Sequence, residues 1–145
     1  MAIWNNGKVR ITPEGGIAVQ YINQTGEVSV KGTTVHITGN MTVGKTLQNI
    51  PDCIGVIYNA GIPVGQKVWV VVSGVAQVLF STATTAGYLA RTFVTADGGA
   101  FVAGQALSEA VPTSPFASDK HFAEIGHIVE TVGAPGLALV NLHFN

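Results

Sequence analysis

Short runs of alternating apolar and polar residues, broken by glycine or proline, cover most of this chain. A period of two marks strands with one buried face, because successive side chains point to opposite sides of a sheet. The runs that predict strands are KVRIT from Lys8, GIAVQYI from Gly16, EVSV from Glu27, TTVHIT from Thr33 and CIGVIY from Cys53. They continue with KVWVVVS from Lys67, VAQVLFS from Val75, GYLARTFV from Gly87, FAEIGHIVET from Phe122 and GLALVNLHF from Gly136. In the last run Ala138, Val140, Leu142 and Phe144 form a wholly apolar face, expected to meet the core, while Leu137, Leu139, Asn141 and His143 share the other.

Two turns follow from local chemistry. Ser73-Gly74 sits between two β-rich runs and reads as the tight turn of an antiparallel hairpin, with Gly74 free to take positive φ. Ala134-Pro135-Gly136 reads as the turn joining the last two strands. The stretches VGKTLQNI and GGAFVAGQALSEA have some helical character, but neither keeps an amphipathic period long enough for a firm helix. VPTSPFASDKHF reads as an extended connection that Pro112 and Pro115 keep out of a sheet. The expected fold class is all-β, a compact β-barrel or β-sandwich of antiparallel hairpins.

Composition narrows the function classes. A chain of 145 residues suits one compact domain. Only 10% of residues are charged, against about 25% in an average soluble domain, so the surface is built from uncharged polar groups or is partly hidden in an assembly. The net charge is −1 and the seven basic residues are scattered singly, which leaves no electrostatic footprint for nucleic acid. The longest apolar stretch, VWVVV, is far shorter than a membrane span, so no membrane partner is expected. The first residues, MAIWNNGKVR, lack the basic start and apolar block of a secretory signal and read as a mature end.

Three motifs invite chemistry. GNMTVGKT, from Gly39 to Thr46, fits the phosphate-loop pattern G-x-x-x-x-G-K-[ST], but Pro51 cuts off the helix that should follow. The segment therefore reads as a loop between two strands, with Lys45 in solvent or against a neighbouring subunit. HFAEIGH brings His121, Glu124 and His127 together in sequence. On a regular strand Glu124 points away from both imidazoles, and the two histidines lie about 20 Å apart, so no metal site is expected unless the chain folds sharply at Gly126. His36 and His143 read as isolated imidazoles. Ser73 before Gly74 is the nearest candidate nucleophile, and the turn explains it without catalysis. Cys53, in the apolar run CIGVIY, reads as a buried, unreactive thiol. No catalytic, cofactor-binding or metal-ligating residue is assigned, and no enzyme activity is expected.

The assembled pattern resembles the capsid decoration, or cement, proteins of tailed bacteriophages. The resemblance runs from about Lys31 to Asn145 and rests on KGTTV, IGVIYNAGIPVGQKVWVVVSGVAQVLF and FAEIGHIVETVGAPGLALVNLHFN. Its packing motifs fall at Ile54-Gly55-Val56, Val68 to Val72, Gly74 to Val78 and Ile125 to Glu130. It implies a decoration domain over residues 31–145, preceded by residues 1–30 as an extended N-terminal arm with the first strands. Such a protein is made in the host cytoplasm and sits on the outer surface of the capsid. There it binds the major capsid protein and itself, as a trimer or alternatively a dimer, and clamps coat subunits against DNA pressure. Ile3, Trp4, Val9 and Arg10 of the arm, with Trp69, are the expected interface residues. The alternative is another phage β-module, a tail-tube or tail-tip protein or a carbohydrate-binding adhesion domain.

Overall fold

The computed structural model describes residues 4–5, 7–111 and 123–144. Among them, eleven strands form one sheet: β1 (Trp4–Asn5), β2 (Val9–Ile11), β3 (Gly16–Asn23), β4 (Thr34–Gly39), β5 (Thr42–Lys45), β6 (Cys53–Ile57), β7 (Lys67–Phe80), β8 (Leu89–Arg91), β9 (Leu107–Glu109), β10 (Glu124–Ile128) and β11 (Gly136–Leu142). The fold is all-β, as the alternation predicts. The sheet order is β1-β2-β3-β5-β4-β6-β7-β11-β10-β8-β9, with β3 also paired to β7.

That extra pairing closes a ring. β3, β5, β4, β6 and the first half of β7 each bond to the next, and β7 returns to β3 from Ile22↔Lys67 to Gly16↔Gly74. The β3 to β5 step is parallel, an exception to the hairpin pattern. The second half of β7 pairs instead with β11, from Leu142↔Gly74 to Gly136↔Phe80. β10, β8 and β9 follow, and a bridge from Ala106 to Phe80 brings this second group back to β7. One long strand is therefore common to two rings.

The Ser73-Gly74 turn expected from sequence does not form. Gly74 does take positive φ (80°), but the strand runs on through it and only its partners change. The glycine is needed because a Cβ there would lie 2.4 Å from the carbonyl oxygen of Gly15. Three other assignments also differ. EVSV is a loop, in which the Asn23 side chain donates to the Glu27 and Ile62 carbonyls (3.0 and 2.9 Å) and Ser29 Oγ bonds Asn59 O and Ile62 N (2.8 and 2.9 Å). GNMTVGKT is a β4 to β5 hairpin, with Met41 in the turn at φ 55° and Val43 fully buried. GGAFVAGQALSEA begins in a short 3-10 turn, Thr95–Ala100, and ends in β9.

Two clusters make the core. Val35, Val43, Ile57, Val68 and Val70 fill the first ring. Phe80, Ile125, Ile128, Val140 and Leu142 anchor the second, larger one, joined by Val56 and Val71 from the opposite face of the first ring. Residues that alternate along β6 and β7 thus feed both clusters, which explains why these strands read as nearly continuous apolar runs. The apolar face of the last strand packs inward as expected, with Ala138, Val140 and Leu142 buried.

Candidate functional site

β6 and β10 begin with the same local pattern, Cys53-Ile54-Gly55 and Glu124-Ile125-Gly126, and both use it to make a bulge. Against β4, His36 pairs Cys53 and Val35 pairs Gly55, so Ile54 is skipped. Against β8, Arg91 pairs Glu124 and Ala90 pairs Gly126, so Ile125 is skipped. Each glycine is packed against its other neighbour: a Cβ would lie 2.3 Å from Val71 O at Gly55 and 2.3 Å from Asn141 O at Gly126.

One extra residue reverses the alternation beyond it. Regular geometry puts Glu124 and His127 on opposite faces, but the bulge puts them on the same one, so the expectation that Glu124 points away is corrected. Glu124 Oε1 lies 3.8 Å from His127 Nδ1. His143, just past the end of β11, completes the group: its Nε2 is 3.3 Å from Glu124 Oε1 and 2.7 Å from His127 Nδ1. The backbone N–H of His143 donates to Ile125 O at 3.0 Å, which ties that residue to the bulge itself. The carboxylate is 3% exposed, whereas the His127 and His143 side chains are 48% and 42% exposed. Glu124 also borders a cavity of about 20 Å³ with Cys53, Thr92 and Phe144, enough for one water. The arrangement offers one buried carboxylate oxygen and two accessible imidazole nitrogens converging on a point, a donor set suited to a cation or a shared proton. His121 lies outside the described residues.

His36 is not isolated either, since its Nδ1 lies 2.8 Å from Asp52 Oδ2. Lys45, the phosphate ligand of the motif reading, pairs with Glu27 at 2.6 Å, and no helix follows Thr46. Burial pushes the Cys53 thiol from its ordinary value of 9.0 up to about 12, against the partial offset of the Gly55 and Val35 backbone, with Asp52 adding slightly to the rise. The folded protein should therefore resist thiolate-selective reagents at pH 8. Because only the unfolded chain ionises this thiol between pH 9 and 12, its contribution to stability is complete below pH 9 and lost as pH rises toward 12. The loss approaches about 1.4 kcal/mol per pH unit. Denaturant midpoints measured across that range for wild type and Cys53→Ala check it: equal slopes would refute a shifted thiol.

The expected interface residues divide as follows. Ile3 lies outside the described residues, and the Trp4 backbone pairs with Ile11. Val9 lines an apolar groove of about 410 Å³ with Val19, Tyr21 and Met41. Arg10 and Trp69 do come together. The Arg10 guanidinium lies 5.2 Å from the Trp69 ring centre and 5.4 Å from that of Tyr58, while Lys31 Nζ lies 5.0 Å from Tyr58 on its own account. Burial and the charge of Glu14 raise the Tyr58 hydroxyl above its ordinary value, with Arg10 opposing them. Sequence gave no sign of Tyr58 in this group, nor of the buried ion network at Arg91, whose partners Asp97 and Glu109 fall in segments without regular period.

No family model and no curated protein matches the chain. Its fold nevertheless places it in a class of small all-β domains with solved members. One of them is the N base of head fiber gp8.5 in bacteriophage phi29, 14% identical, with 87% of this chain and 92% of that chain covered at a TM-score of 0.56. At that identity the likeness establishes the fold.

Proposed function

We propose that the chain is a bacteriophage virion structural protein that attaches to the outside of the assembled head and acts by binding, without catalysis. The observation that carries this is the shared fold with a phage head-fiber base over nearly the whole of both chains, in agreement with the decoration-protein motifs read from sequence. Low charge and several exposed apolar side chains, Val28, Val30, Ile37 and Met41 among them, suit a protein that buries surface in a permanent complex. In this role it bridges neighbouring major coat subunits, as a trimer or dimer, and the Arg10, Tyr58 and Trp69 stack supplies the aromatic and arginine anchors that such contacts favour.

A second role is favoured by the neighbour being a fiber base: the same attachment could serve to hold a projecting appendage. Co-sedimentation of the purified protein with heads lacking it tests the attachment, with stoichiometric retention expected and Trp69→Ala weakening it about tenfold or more. Failure to bind heads would overturn the proposal. Heat stability of stripped and refilled heads then separates the roles, since only cementing makes refilled heads more resistant.

A further inference from the structure

We propose that Glu124, His127 and His143 form a site for a divalent transition-metal ion, of which Zn²⁺ is the best-fitting representative. The three donor atoms, Glu124 Oε1, His127 Nδ1 and His143 Nε2, form a triangle with sides of 2.7, 3.3 and 3.8 Å. The circle through them has a radius of about 1.9 Å, and an ion about 0.7 Å above its plane lies about 2.05 Å from all three, the usual Zn–N and Zn–O bond length. The sides subtend about 82°, 107° and 136° at that ion, a distorted version of one face of a tetrahedral site. Two imidazoles and one carboxylate form a borderline donor set that selects zinc, cobalt, nickel or copper over calcium or magnesium. The fourth position is left for water or for a group from a bound neighbour.

The support of the site is as telling as its donors. Two ligands stand on β10 and one just beyond β11, strands held in register by Gly126↔Leu142 and His127↔Asn141, so little ordering is needed on binding. The bulge at Ile125 exists at the cost of regular pairing, and its effect is to swing a carboxylate under two imidazoles. The half-exposed rings give the ion a path in, while the buried oxygen gives it a fixed seat. In the ion-free protein one ring donates its N–H to the other at 2.7 Å; on metal binding that ring takes the tautomer with its hydrogen on the other nitrogen, which frees both facing lone pairs for the ion. Nothing in this depends on head binding.

Chelator-stripped protein titrated with ZnCl₂ in a calorimeter, with thermal unfolding in parallel, tests the site. One ion per chain is expected, with Tm raised by about 5 °C or more at a hundredfold excess over Kd. His127→Ala and His143→Ala, both at half-exposed positions, should each weaken binding about tenfold or more. His36→Ala, which removes the two-donor pair with Asp52, should leave it unchanged. Binding that survives both of the first substitutions, or that is lost with His36→Ala, would overturn the proposal. Co²⁺ supplies a readout without any variant: wild-type protein should develop the visible absorption of tetrahedral cobalt, and a spectrum identical to that of the aqueous ion would also overturn it.

Discussion

Replacing Arg91 with alanine is expected to cost about 3–5 kcal/mol of folding stability, the range for breaking a buried ion network. Arg91 ends β8 with its side chain 3% exposed. Its guanidinium donates to both oxygens of Asp97 at 2.7 Å, to Glu109 Oε2 at 2.7 Å and to the Thr92 carbonyl at 3.1 Å. Burial opposes the charge, but the hydrogen bonds and charges of the two acids outweigh it and hold the group above its ordinary pKa, so it stays protonated throughout the pH range in which the protein is handled. Without it, two largely buried carboxylates face each other across an emptied site. Asp97 also accepts from the Val94 N–H at 2.8 Å, so the 3-10 turn after β8 loses its organising contact as well. Arg91→Lys should recover only part of the loss, because an ammonium cannot match the paired donors. Urea unfolding measures the effect, and a loss below about 1 kcal/mol for Arg91→Ala would show that water replaces the network freely.

The second large effect is expected from a single methyl group. Gly126→Ala places a Cβ 2.3 Å from the backbone oxygen of Asn141 and 2.9 Å from the Val140 side chain. The first of these is main chain in a paired strand and cannot swing aside, so β10 and β11 must separate locally, at a cost of about 3 kcal/mol. The same shift pulls His127 and Glu124 away from His143, so metal affinity should fall together with stability. Gly133→Ala, in the turn before β11 where nothing lies within 4 Å of the added atom, is the matched control and should change stability by less than about 0.5 kcal/mol. Equal effects of the two substitutions would mean that the β10 to β11 spacing is looser than the structure gives.

Much of the sheet is visible in the alternation of apolar residues, because a buried face leaves a period of two wherever pairing is regular. Sequence reading fails where pairing is irregular. Ser73-Gly74 has the letters of a turn, but positive φ also suits a bulge, and only β11, more than sixty residues away, decides between them. β5 hides in a nucleotide-binding motif because its four residues are too few to show a period. Counting by twos puts Glu124 on the wrong face, because it assumes no skipped residue, and Ile125 is skipped. The recurrence of residue-Ile-Gly at 53–55 and 124–126 is the available clue, since an isolated glycine within a strand pattern often marks a bulge. Tyr58 and Trp69 meet Arg10 across strands distant in the chain, which no local pattern encodes.

The strand common to both rings also sets an order of assembly during synthesis. Every strand of the first ring, from β3 to the front half of β7, precedes Gly74, so that ring can close before β8 to β11 are made. The back half of β7 then waits for β11, more than fifty residues further along the chain, with Ala76, Val78 and Phe80 uncovered in the meantime. A chain halted in that interval leaves the back half of β7 without its β11 partner, an unpaired apolar edge of the kind that pairs with another copy of itself.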